Sequence, residues 1–146
     1  MSAGHSGKAL TQKLGIRRGD ALALVNAPDG YDDLLAALPD GVTVFRELIG
    51  EPDFIQFFAT GRANLEREFP RLKGSLKRGG MIWVSWPKAS SGLDTDLSDR
   101  VVREVGLNNG MVDVKVCAVD GSWSALKFVR RLKDRKDNSR RKRRKT

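Results

Sequence analysis

A chain of 146 residues that is 40% hydrophobic is long enough for one packed domain with extensions and too short for two comfortable ones. Its net charge of +9 sits almost wholly at one end: residues 127–146 carry twelve Lys or Arg against Asp134 and Asp137, while the rest of the chain holds 15 basic against 16 acidic side chains and is electrostatically ordinary. A lone Cys117 excludes an internal disulfide and a cysteine metal cluster, and no stretch approaches the roughly 20 apolar residues of a membrane span.

In chain order, residues 1–9 are small and polar, and a short helix over Thr11–Leu14 is stopped by Gly15. "DALALVN" holds an unbroken apolar run, Ala21–Val25, the pattern of a strand covered on both faces in a mostly parallel sheet. "APDG" turns the chain, and Tyr31, Leu34, Leu35 and Leu38 then share one helical stripe. "VTVF" (42–45) and the aromatic "DFIQFFA" (53–59) predict two further strands. Only seven residues, "RELIGEP", join them, where a parallel crossover usually needs a dozen or more, so the second strand is expected to be antiparallel or a frayed edge.

Leu65, Phe69, Leu72 and Leu76 form the next helical stripe, with Pro70 predicting a kink or two pieces. "GGMIWVSWP" is a fourth, buried strand ending at Pro87. A helix follows in which Leu97, Val101 and Val105 recur every fourth residue, with Asp94, Thr95 or Asp96 as its cap. "MVDVKVCAV" and "SWSALKFV" flank Asp120-Gly121, the two-residue signal of a type I′ hairpin. The order predicts a single three-layer α/β domain, Rossmann-like and methyltransferase-like, with a mostly parallel sheet ending in an antiparallel β-hairpin. Residues 1–19 form an extension with a short helix, 20–130 the domain, and 131–146 a disordered Lys/Arg-rich tail.

"WVSWPK" and "VDVKVCAVDGSWS", with "KLGI" and "LVNAPDGYDDLL", make the chain resemble the bacterial family called domain of unknown function 3052 (DUF3052) over roughly residues 2–130. The resemblance implies a small cytoplasmic α/β protein and brings no agreed activity. His5 stands where the family commonly has an aromatic residue, and Ala89 where many members have a second Lys after "WPK". The second departure puts in doubt any ligand role of a lysine pair.

Ligands of open α/β sheets lie beyond the carboxyl ends of the strands. The candidates there are Asn26 and Asp29, Thr60 and Arg62, and Lys88 with Ser90 and Ser91; Lys88 suits an anionic ligand, against the plainer reading of a solvated strand-end lysine. The turn "NAPDGY" has one glycine and lacks the dinucleotide fingerprint. Glu47 follows Asn26 by 21 positions, the ribose-gripping spacing, but reads more simply as a solvated loop residue. Nicotinamide cofactors are set aside, adenosylmethionine is kept as a remote alternative, and no cofactor is expected.

His5 is the sole histidine, Cys117 fits a buried structural thiol, and the three tryptophans fit core packing, so no catalytic or metal set is assigned. Gln56, a polar amide inside an apolar strand, needs a polar neighbour or a small pocket. The tail residues Arg135, Lys136, Arg140, Arg141, Lys142, Arg143, Arg144 and Lys145 suit sequence-blind, salt-sensitive nucleic-acid binding. The expectation is a cytoplasmic, non-enzymatic binding or regulatory module with that tail. The alternative is a small-ligand protein or divergent methyltransferase-like enzyme with a pocket at the strand ends, and an adaptor working through the hairpin is a third reading.

Overall fold

A computed structural model describes residues 10–31, Leu35 and residues 38–131, with Ser90 by its backbone alone. His5, most of the helix expected at Tyr31–Leu38, and the tail residues from Arg135 to Lys145 lie outside this set. Among the described residues are helices α1 (Leu10–Leu14), α2 (Arg62–Ser75) and α3 (Asp99–Asn108), and strands β1 (Ala21–Val25), β2 (Thr43–Phe45), β3 (Phe54–Phe58), β4 (Met81–Pro87), β5 (Met111–Ala118) and β6 (Trp123–Arg130). The strands form one sheet in the order β2-β1-β3-β4-β6-β5.

Alternation along the strands sorts the core into two halves. Leu22, Leu24, Phe54, Phe58, Trp83 and Ala125 face α1 and the 27–42 segment, against Leu14, Ile16, Tyr31 and Leu35. Ala23, Ile55, Phe57, Ile82, Val84, Leu126 and Phe128 face α2 and α3, against Leu65, Phe69, Leu72, Val102 and Val105. The three layers follow. Helix α1 is tied in firmly: Leu14 is fully buried, and the Trp83 indole N–H donates to the Leu14 carbonyl at 2.8 Å.

Strand β2 is parallel to β1, which decides the direction that the short link left open, and it is a three-residue edge. The register explains why a dozen residues are unnecessary. Phe45 lies level with Ala23, and Phe54 level with Leu22, so the chain crosses over β1 without having to run back along a long strand. Leu48, in that crossover, packs on the core where a helix would otherwise sit.

Three local expectations change. Helix α2 is a single element running through Pro70, because Pro70 and Glu66 are both exposed and water can serve the Glu66 carbonyl that loses its partner. Helix α3 is capped by Ser98, whose hydroxyl accepts from the Val101 N–H at 3.3 Å; Asp96 serves another helix. The hairpin is not type I′, since neither Asp120 nor Gly121 has a positive φ. The Asp120 carboxylate instead accepts from the Ser122 and Trp123 amides at 2.8 and 3.0 Å, which fixes a four-residue loop.

Candidate functional site

At β1 the sheet order reverses: the chain goes first to β2 on one side and then crosses to β3 on the other. Such a switch point opens a crevice beyond the strand ends. Asn26 leaves β1 at this point with φ 61°, the one non-glycine residue in left-handed backbone among those described. That conformation costs about 1 kcal/mol or more for most side chains, and asparagine tolerates it best. Its amide Nδ2 donates to the Phe58 carbonyl at 2.8 Å, which bolts the turn to the end of β3. Asp29 is exposed on the same turn, and Glu47 is exposed two residues past β2. Asn26 and Asp29 on the turn after β1, and Glu47 in the crossover after β2, are thus exposed polar residues that follow the ends of the two strands at the switch point, termed the shelf.

The next strand end is occupied by the chain itself. Gly61 is the N-cap of α2 and has no side chain to offer, so the first amide of the helix, that of Arg62, is met by the Asp96 carboxylate at 2.8 Å. Thr95 donates its hydroxyl to the Thr60 carbonyl at 3.0 Å, and the Thr60 amide donates to Asn64 at 3.3 Å. Thr60, a candidate ligand residue, therefore has both backbone groups engaged internally. The Arg62 side chain pairs with Glu66 at 2.9 Å and with Glu104 at 3.1 Å, joining α2 to α3. Replacing Asp96 by alanine removes a helix cap and is expected to cost about 0.5–2 kcal/mol. Thermal melts of Asp96→Ala and Asp96→Asn check it, the asparagine retaining an acceptor; equal melting of the alanine variant and the parent would remove Asp96 as the cap.

Lys88 sits one strand further on, and β3 lies between it and Asn26, so about 10 Å of strand spacing separates the two. Its amide donates to the Ser122 carbonyl at 2.8 Å, which joins β4 to the hairpin loop. Its side chain lines a groove of about 530 Å³ together with Trp86, Leu93, Asp94, Asp99 and Val116. Ser90 belongs to the short 3₁₀ turn Ala89–Ser91 on the rim of this groove. The candidate residues thus fall into two places, the shelf at β1 and the groove at β4, with the Thr95 and Asp96 bonds between them.

Below the shelf lies a polar chain that sequence reasoning located only in part. Gln56, fully buried, accepts from the Tyr31 hydroxyl at 2.5 Å and donates to the Ser85 hydroxyl at 3.1 Å. Gln56 was legible as a problem residue, but its partners come from β4 and from the far side of the β1 turn, and nothing in the local pattern links them. Burial pushes the Tyr31 phenol well above its usual range, more than its bond to Gln56 lowers it. Burial likewise raises the Cys117 thiol, against the opposing fields of Lys13 and Lys115, which suits a packed thiol rather than a reactive one.

No family model and no curated protein matches the chain. Among solved structures it is similar to a SAM-dependent methyltransferase from Aquifex aeolicus, with a TM-score of 0.59 and 12% identity over 82% of this chain and 86% of that one. Magnesium protoporphyrin IX methyltransferase from Synechocystis PCC 6803 with bound SAH gives 0.54 and 11%, over 83% and 78%. A possible exported protein from Bordetella parapertussis gives 0.58 and 14%, over 82% of this chain and 64% of that one, so the chain spans just under two thirds of its length. At such identities the likeness concerns the fold: the chain has a Rossmann-like, methyltransferase-type α/β architecture.

Proposed function

We propose that the chain is a small-ligand-binding domain whose ligand lies across the switch point at the carboxyl end of β1, contacting Asn26, Asp29 and Glu47. The observation that carries this is Asn26 itself, a non-glycine residue held in left-handed backbone at the one place where the sheet order reverses. Backbone strain of that kind persists where the surroundings enforce it, and it clusters at ligand sites.

Adenosylmethionine is the first ligand to test, because solved structures of this fold bind it or SAH. The residue types of the shelf suit the nucleoside part of such a molecule. Glu47 presents an exposed carboxylate to a ribose diol, and the left-handed Asn26 turns the backbone as a glycine would in a glycine-rich turn. Bound adenosylmethionine would supply an activated methyl group; the residues of the shelf bind and orient. The resemblance to DUF3052 is compatible with this reading and adds no activity to it.

Calorimetric titration and thermal melts with adenosylmethionine and adenosylhomocysteine test the proposal. Saturating ligand should raise the melting temperature, with stabilisation reaching about 2.7 kcal/mol at a hundredfold excess over Kd. Glu47→Gln should weaken binding on the order of tenfold while leaving the melting of the free protein unchanged, since Glu47 is exposed. Absence of any shift with both ligands, nucleotides and anionic metabolites would sink the reading.

A second reading is favoured by one observation, the net +10 over residues 127–146: the tail binds nucleic acid through its phosphates, without sequence preference.

A further inference from the structure

Residues 1–130 hold 17 basic against 16 acidic side chains, yet four of these cations gather on one surface. Lys127 and Lys115 are directly opposed on β6 and β5 and point to the α1 face of the sheet. The Lys127 ammonium lies against the end of α1, 3.9 Å from the position a Cβ on Gly15 would take. Lys115 donates to the Lys13 carbonyl at 3.3 Å, which brings Lys13 of α1 beside the pair. Arg17, exposed just past α1, contributes the fourth positive charge and lies near enough to Lys127 to act on it electrostatically.

These charges are under-compensated. The ion pairs among the described residues include none of the four side chains. Among the described residues, compensation reaches Arg17 alone: Asp20 accepts from the Arg17 amide at 2.9 Å, and Asp53, which accepts from the Ala21 amide at 2.8 Å and pairs with Lys77 at 3.1 Å, also feels the Arg17 charge. Like charges opposed across a ladder destabilise the fold unless an anion joins them. Burial, then the fields of Lys115 and Arg17, hold the Lys127 ammonium below the usual lysine range. On the adjoining side a shallow hollow of about 590 Å³ is lined by Ile16, Arg17, Arg18, Asp20 and Pro39.

Strand β6 ends at Arg130, three residues beyond Lys127, or about 10 Å of extended chain, so the basic tail begins next to this surface. The shelf at β1 lies three strands away across the sheet, since Lys127 is in register with Leu24 through Trp83 and Gln56. We propose that Lys13, Arg17, Lys115 and Lys127 form a phosphate-contact surface on the folded domain, which binds the backbone of a nucleic acid. The inference deepens the polyanion reading of the tail and rests on it for reach, but it is independent of the ligand shelf. A nucleic acid is favoured over an anionic membrane because the apolar side of α1 is turned into the core, with Leu14 fully buried, and leaves no apolar face to insert.

The test uses full-length chains and a labelled oligouridine across a salt series. One variant carries Lys115→Gln and Lys127→Gln; the other carries Arg140→Gln, Arg141→Gln, Arg143→Gln and Arg144→Gln. Removing one phosphate-neutralising cation lowers the slope of log affinity against log salt by about 0.7 for a single strand. The expected result is that both variants bind more weakly, the lysine variant with a slope reduced by about 1–1.5 and an unchanged or higher melting temperature. Binding by the lysine variant that matches the parent in affinity and slope overturns the inference, and if the tail variant is weakened in the same experiment the tail reading survives alone. Unaltered binding by the tail variant overturns the tail reading instead. Failure of the parent to bind RNA, with or without binding to phosphatidylserine vesicles, overturns both.

Discussion

Gly106→Ala is expected to destabilise the protein by about 2–4 kcal/mol, although alanine is the better helix former by about 1 kcal/mol. Gly106 is a buried residue of α3, and an added Cβ would lie 2.0 Å from Phe128 Cε1 and 2.5 Å from Cζ. The ring cannot swing away freely, because its other side meets Phe69 edge to face with centroids 5.5 Å apart. Helix α3 must therefore lift from the sheet or Phe128 must leave its rotamer. Urea titration measures the loss, and a melting temperature lower by roughly 10 °C would accompany it. Adding Phe128→Leu should recover part of the loss and show coupling between the two positions. A rise in stability on Gly106→Ala alone, as at an exposed helix glycine, would show that the close approach of α3 to β6 is wrong.

Gln56→Leu is the second large effect. The volume is nearly kept, but the Tyr31 and Ser85 hydroxyls lose their partner inside the core. Each buried hydroxyl left unsatisfied costs about 1–3 kcal/mol, so the single variant should lose about 2–6 kcal/mol. The triple variant Gln56→Leu, Tyr31→Phe, Ser85→Ala removes all the polar groups together and should regain most of it. Equal stability of the single and triple variants would show that the chain of bonds contributes nothing specific. The raised Tyr31 pKa gives a sign as well. A folded-state value above the unfolded one means that this contribution is complete below the ordinary tyrosine value near 10 and declines as pH rises beyond it.

The strands were legible because their signals are local: "ALALV", "FIQFF" and "MIWVSWP" are apolar runs with turn residues on either side. The stripe Leu65, Phe69, Leu72 was equally plain, and it outweighed Pro70 because that residue faces water. What the sequence could not convey were partnerships across long separations. Asp96 caps a helix that begins 34 positions earlier, and the local rule assigned it to the helix just ahead. The direction of β2 depended on register, which sets how far the crossover must travel. Asn26, Thr60 and Lys88 were correctly placed at strand ends, but their division between a shelf and a groove follows from internal bonds of the 93–98 loop. The lysine pair of the α1 face was hidden for the same reason, since Lys115 and Lys127 meet only when the hairpin closes.

Strand β2 is held to the sheet through three residue pairs, and a crossover with Leu48 as its apolar anchor follows it where other layers have a whole helix. An edge fastened so lightly opens at a fraction of the free energy needed to unfold the domain. Glu47 rides on that edge, whereas Asn26 is bolted to β3. One wall of the shelf is thus rigid and the other is easily displaced, so a ligand spanning both would give up part of its binding energy to order the β2 side. Affinity at this shelf would then depend on the stiffness of residues 43–53 as well as on the groups that touch the ligand.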